Sequence, residues 1–224
     1  MLLLAIDTST TAITVALHDG ERVLAETATL DARRHGEHLA PGIEAVLREA
    51  GASVADVTAV LAGTGPGPFT GLRVGLVTAR TLAFARGIPV HGVCSLDAIA
   101  HQAWTERPGE LGESFLVATD ARRKEVYWAD YAVTGDGPRR VEGPAVDKPS
   151  DLVDRVAGRA VAGRGPLLYP DPLGAGVPPL DVSAGHLAAV AAARLAAGQE
   201  LGPPEPLYLR RPDAAPSLTR KSVL

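Results

Sequence analysis

The chain has 224 residues, 46% of them hydrophobic and 21% charged, which is enough apolar material for a real core and excludes disorder as its main state. A formal net charge of −4 excludes a general attraction to nucleic acid or anionic membranes, so any contact with RNA must come from a local patch or through a partner. The single cysteine, Cys94, excludes an internal disulfide and a Cys-based zinc site, and it fits a reducing cytosol.

Residues 2–6 are a continuous apolar run with no basic stretch before it and Asp7 at its end, the pattern of a central strand and not of a signal peptide. No segment approaches the ~18 apolar residues of a membrane span, so a cytoplasmic protein without membrane contact is expected. After the turn Asp7-Thr8-Ser9-Thr10, residues 13–17 and 22–27 read as strands joined at Asp19-Gly20, a hairpin signal. Helical spacing takes over at residues 35–50, where Leu39, Ile43, Val46 and Leu47 recur and Gly51 stops the pattern. A short buried strand (57–62) leads into the loop Gly63-Thr64-Gly65-Pro66-Gly67-Pro68 and a second helix over residues 70–86, closed by Gly87. Residues 88–93 read as a strand and 95–104 as a helix with Ser95 as N-cap.

The second half restarts the design. A strand over residues 115–119 ends at Asp120, turns through Ala121-Arg122-Arg123-Lys124, and returns over 126–133. Leu4-Ala5-Ile6-Asp7 matches Val117-Ala118-Thr119-Asp120, so an internal duplication is the economical reading. Residues 160–163 form a candidate strand, 184–197 an Ala-rich helix, and 202–211 an extended Pro-rich tail. The expected division is residues 1–108, 109–200 and a tail of 201–224.

Several segments carry chemistry. The Gly65–Gly67 loop entering a helix fits an anion site, because free N–H groups and the helix dipole converge there, but a rigid connection capped by Thr70 is the favoured reading. It has neither the Walker A lysine nor the spacing of the dinucleotide fingerprint. Asp7, Thr8 and Ser9 resemble a phosphate-binding hairpin, with turn-holding hydrogen bonds as the plain alternative. Asp120 is a candidate second acid across a two-lobed cleft. In the second helix Gly71, Gly75, Ala79 and Ala83 form a smooth stripe every four residues, suited to close approach of the sheet or of another chain's helix. Gly inside a helix costs ~1 kcal/mol relative to Ala, so the stripe calls for a compensating contact. With Leu39, Ile43 and Val46 on the neighbouring helix it makes the candidate partner interface. His35 and His38 share a helix face but lack a third metal ligand, and no catalytic motif is present.

Taken in order along the chain, Leu4 to Thr10, Gly65-Pro66-Gly67-Pro68-Phe69-Thr70-Gly71-Leu72-Arg73-Val74-Gly75, Asp120 to Arg123 before Glu125-Val126-Tyr127, and Tyr208-Leu209-Arg210 closely resemble the bacterial TsaB (YeaZ) family. The resemblance implies an α/β, actin-like ATPase (sugar-kinase-like) fold of two duplicated lobes with mixed sheets flanked by helices. It implies a non-catalytic subunit in the synthesis of N6-threonylcarbamoyladenosine at position 37 of tRNAs that read ANN codons. The expected partners are the catalytic paralogue TsaD and the P-loop ATPase TsaE, with ATP and a metal ion on those subunits, no cofactor of its own, and tRNA contacted only through the complex. The family pairs through its first two helices, and the same surface gives a homodimer when the partner is missing. The rival expectations are a stand-alone metal-dependent ATPase or transferase using Asp7, Thr8 and the Gly65–Gly67 loop, a metallopeptidase, and a direct tRNA binder using Arg122, Arg123, Lys124, Arg210, Arg211, Arg220 and Lys221.

Overall fold

Two sheets of the same design account for the repeated strand-to-aspartate signal. The computed structural model describes residues 1–31 and 34–210. In the first sheet β1 (Leu3–Asp7), β2 (Ala12–His18) and β3 (Val23–Leu30) form an antiparallel meander, and β4 (Ala59–Gly63) and β5 (Val90–Val93) add in parallel, in the order β3-β2-β1-β4-β5. The second sheet has β6 (Ser114–Asp120), β7 (Val126–Thr134) and β8 (Gly137–Asp147) as its meander, with β9 (Val161–Ala162) parallel to β6, in the order β8-β7-β6-β9. The duplication extends to register. Leu3 pairs with Ala59 and its counterpart Leu116 with Val161, while Asp7 closes its strand opposite Thr14, two residues into β2, and Asp120 opposite Val126, the first residue of β7.

The continuous apolar runs of β1 and β4 are buried along their whole length, as a strand covered on both faces requires. The long strand β8 was not legible in the sequence. It is an edge strand carrying Pro138 and Pro144, mostly exposed or half-buried, and its register slips twice against β7, so no alternation marks it.

Helices α1 (His35–Glu49) and α2 (Phe69–Arg86) cover one face of the first sheet and close a core with Leu4, Ile6, Val15 and Val60. Between the sheets lie α3 (Ser95–Glu106) and, late in the chain, α7 (Ala184–Ala196), in the central core that joins Leu3 and Leu61 to Phe115 and Tyr131. Short turns α4 (Val153–Val156), α5 (Gly165–Leu168) and α6 (Pro170–Leu173) cover the outer face of the second sheet around Trp128 and Leu116. The expected cut near residue 108 falls in the α3–β6 connection, but the halves interlock across it. α7 packs on β1 and β2, whereas α3 packs on β6, β7 and β8.

Asp97 on α3 locks this junction. It is buried, accepts from Tyr131 Oη at 2.9 Å and Arg194 Nη2 at 2.8 Å, and lies 3.6 Å from Arg140 Nη1. The tail to residue 210 straps the same side: Gly92 N donates to Gly202 O, Leu207 N to Thr64 O, and Arg210 reaches Ala121 O. Residues 211–224, including Arg211, Arg220 and Lys221, lie outside the described residues.

Candidate functional site

The first hairpin turn is held from inside the molecule. Asp7 is fully buried; its Oδ1 accepts from Ser9 N and Ser9 Oγ, both at 2.7 Å, and its Oδ2 from Ser95 Oγ at 2.5 Å. Ser95 Oγ in turn accepts from Gly65 N at 3.0 Å, so one carboxylate joins β1, the glycine loop and α3. Burial pushes the Asp7 carboxyl above its ordinary range, against the hydrogen bonds from Ser95 and Ser9 that favour the ion. β4 ends at Gly63 because any Cβ there would sit 1.7 Å from Asp7 Oδ2. Ser95 is therefore a junction residue and not the expected N-cap, which is Cys94.

The weak phosphate candidates Asp7, Thr8, Ser9, Gly65 and Gly67 are brought together, but against each other. All five are buried, and a Cβ on Gly67 would lie 2.4 Å from Ser9 O, so the loop rests directly on the turn. Thr8 serves α2: its hydroxyl donates to Gly71 O at 2.7 Å and accepts from Gly75 N at 3.0 Å, inserting at that rung of the helix. The expected cap Thr70 lies within the helix, whose N-cap is Pro68 with no side-chain cap.

This insertion corrects the predicted interface. Gly71, Gly75, Ala79 and Ala83 face inward, buried against the first sheet, and a Cβ on Gly75 would lie 2.5 Å from Thr8 Oγ1. Leu39, Ile43 and Val46 are buried in the same core. The small residues are thus compensated by the chain's own β1–β2 turn and are unavailable to a partner. The other side of α2 is what faces outward. Val77 is 60% and Phe84 90% exposed, Thr81 is exposed and Val74 half-buried. At its start Arg73 lies 3.5 Å over the Phe69 ring and donates from Nε to Tyr208 Oη at 2.7 Å, while Tyr208 stacks on Phe69. The outward side thus carries Val77 and Phe84 together with exposed Arg80, beside a cation–π cluster at its start. The side expected to meet a partner is the one this chain buries against its own sheet.

Beside the junction, a cavity of about 180 Å³ lies between the two hairpin turns, with Thr10 and Thr11 on one side and Thr119, Asp120 and Arg122 on the other. Asp7 does not line it, so the two aspartates do not form an acid pair across the cleft. Asp120 is engaged locally, accepting from Arg122 N at 2.7 Å and lying 3.2 Å from Arg122 Nη1. Arg122, Arg123 and Lys124 all hold positive φ (63°, 54° and 61°), and Glu125 N donates to Arg122 O, so Arg123 and Lys124 occupy the middle of a primed turn without the usual Gly or Asn. Such residues cost about 1 kcal/mol or more each. Arg210 pairs with Glu125. His38 lies 3.4 Å from Asp31 in the first turn of α1; the His35 side chain lies outside the described residues. Among the described residues, no three His, Cys, Asp or Glu side chains are grouped to hold a metal ion, and no helix is long and apolar enough to cross a membrane.

Known proteins match over nearly all of this architecture. Residues 22–213 match the family model described as "TsaD: tRNA N6-adenosine threonylcarbamoyltransferase". The solved structure "YeaZ from Pseudomonas aeruginosa" superposes with a TM-score of 0.77 at 30% identity, over 93% of this chain and 100% of that one. An Escherichia coli relative, "tRNA threonylcarbamoyladenosine biosynthesis protein TsaB", is 38% identical over 157 residues, 70% of this chain and 66% of its own length. The chain belongs to the TsaB (YeaZ) family. An uncharacterized Mycobacterium tuberculosis protein, 48% identical over 216 residues (95% of this chain and 93% of that one), extends the likeness through the second lobe. Within the TsaB frame, the duplication read from the repeat is the observed one, with two meanders of like order and helices between the sheets.

Proposed function

We propose that this TsaB-family chain acts in the synthesis of N6-threonylcarbamoyladenosine at position 37 of ANN-reading tRNAs, as the pairing subunit and not as the transferase. It binds the catalytic paralogue TsaD through the outer face of α2, and TsaE joins the assembly. ATP and the metal ion sit on those subunits, and tRNA is met through the complex. In the absence of TsaD the same face pairs with a second copy of the chain.

The observation that carries this reading is the exposed band of Val77, Thr81 and Phe84 beside the Phe69–Arg73–Tyr208 cluster. Burying such side chains stabilises a complex by about 1–3 kcal/mol each, and aromatic and arginine anchors are where interface energy concentrates. The buried, self-satisfied state of Asp7, Thr8 and Ser9 supports a structural use of the hairpin that nucleotide-binding relatives of the fold devote to phosphate.

The test uses Val77→Asp. As an outward substitution it changes the lone chain's stability by about 0.5 kcal/mol or less. The expected result is loss of co-purification with TsaD and loss of threonylcarbamoyl transfer by the reconstituted complex. Wild-type capture of TsaD by a folded Val77→Asp chain overturns the assignment of this face.

A further inference from the structure

Where α7 leaves the first sheet uncovered, a second cavity of about 340 Å³ opens between β2, β3, α3 and the start of α7. It adjoins the first cavity at Asp181, which lines both, and lies apart from the outer face of α2. Its lining carries three carboxylates, Glu26 on β3, Glu106 on α3 and Asp181, with neither lysine nor arginine among its walls; the basic group present is His186, whose Nε2 lies 3.4 Å from Glu106 Oε1. Asp181 already holds Arg164 in a two-pronged pair at 2.8 and 2.6 Å, so Glu26 and Glu106, the latter with only the His186 imidazole nearby, are the carboxylates open to a ligand.

Two buried acceptors in this cavity have no partner. Thr14 is 1% exposed, and its hydroxyl makes no hydrogen bond. The register Thr14↔Ala28 and Ala16↔Glu26 puts Thr14 on the same sheet face as Glu26, the face towards α7 and the cavity. Gln102 donates from Nε2 to Glu106 Oε1 at 3.0 Å, which turns its Oε1 away, and that oxygen is buried and unpaired. Native proteins leave few such groups unsatisfied, so each asks for a donor. The carboxylates also have capacity to spare. Glu26 uses Oε1 to accept from Ser183 Oγ and Gly185 N, and Glu106 uses Oε1 for Gln102 and faces His186 Nε2 with the same oxygen, leaving an Oε2 on each. No three metal-ligating side chains converge here among the described residues, so the pattern calls for an extended organic cation with N–H donors and not for a metal ion.

We propose that this cavity binds a small aliphatic di- or polyamine. One ammonium pairs with Glu26 and donates to Thr14 Oγ1, a second pairs with Glu106 and donates to Gln102 Oε1, and the methylenes lie over Ala12 and Ala28. Two carboxylates on facing walls with aliphatic surface in the lining match two charges on an apolar stem.

Isothermal titration of the full chain with spermidine in low salt tests this. The expected result is saturable one-site binding, weakened about fivefold or more by Glu106→Gln and by Glu26→Gln separately. Cadaverine, with two ammonium groups, binds about tenfold tighter than pentylamine, which has one. Thr14→Val weakens binding while leaving the unliganded melting temperature unchanged or raised, because it removes an orphaned hydroxyl. Glu26 also ties down α7, so Glu106→Gln is the deciding variant if Glu26→Gln misfolds. No saturable heat up to about 10 mM spermidine, equal affinity in Glu106→Gln, or equal affinity for cadaverine and pentylamine overturns the proposal.

Discussion

Replacing Gly75 by alanine tests the central packing claim, because helix propensity and tertiary fit pull in opposite directions there. Propensity alone makes Gly75→Ala stabilising by about 1 kcal/mol. The new Cβ, however, would lie 2.5 Å from Thr8 Oγ1, and Thr8 is buried with its hydroxyl between Gly71 O and Gly75 N. The hydroxyl must leave, which orphans a buried polar group at about 1–3 kcal/mol. The β1–β2 turn must also shift against a packed core, at about 1–3 kcal/mol. Gly71 O and Gly75 N lose little, since they can bond to each other along the helix. The net expectation is destabilisation by about 2 kcal/mol, a fall of roughly 4–8 °C in Tm for a chain of this size. Thr8→Ala removes the obstacle, so in that background Gly75→Ala becomes neutral or stabilising, with a coupling of about 2–3 kcal/mol in a double-mutant cycle. Urea midpoints of the four proteins give the answer. A Gly75→Ala chain that is more stable than wild type, or costs that simply add, would refute the inward placement of the stripe.

Other substitutions probe the remaining junctions. Asp97→Ala strands Arg194, Arg140 and the Tyr131 hydroxyl at the interlock and should cost about 3–5 kcal/mol in urea titration, with Asp97→Asn milder. Asp7→Ala leaves the Ser9 and Ser95 donors unpaired and should lose about 3 kcal/mol, whereas Asp7→Asn keeps the shape without the buried charge and should lie within about 1 kcal/mol of wild type by the same assay. His101 is held down to about 4 by burial and by neighbouring His186, so the folded chain refuses a proton that the unfolded chain takes up. Its contribution is intact above the unfolded value near 6.5 and is lost as pH falls from there towards 4. Allowing for its partial exposure, acidification should cost wild type roughly 2 kcal/mol more than a His101→Gln chain, read from urea midpoints at neutral pH and near pH 4.5.

Much of the fold was legible because its signals are local. Continuous apolar runs marked β1 and β6, helical spacing marked α1 and α2, and Gly87 takes the left-handed conformation (φ 63°) expected of a helix stop. The repeated strand-to-aspartate turn revealed the duplication because both copies use the same short stretch of chain. β8 escaped because an edge strand with prolines needs no alternating pattern.

The site divided along the same line. The sequence held a run of small residues in α2 and, on the opposite side at helical spacing, Arg73, Arg80 and Thr81, all exposed; taking the helix as apolar nearly all round passed over that polar marking. Tertiary structure decided the matter through contacts across 63 and 67 positions, Thr8 to Gly71 and Gly75, which draw the small side inward and leave Val77 and Phe84 outside. The same holds for Asp7, whose partner Ser95 is 88 positions away. Local periodicity is written in neighbouring residues, but which face is buried depends on the shape of distant chain, and that exists only once the sheet has formed.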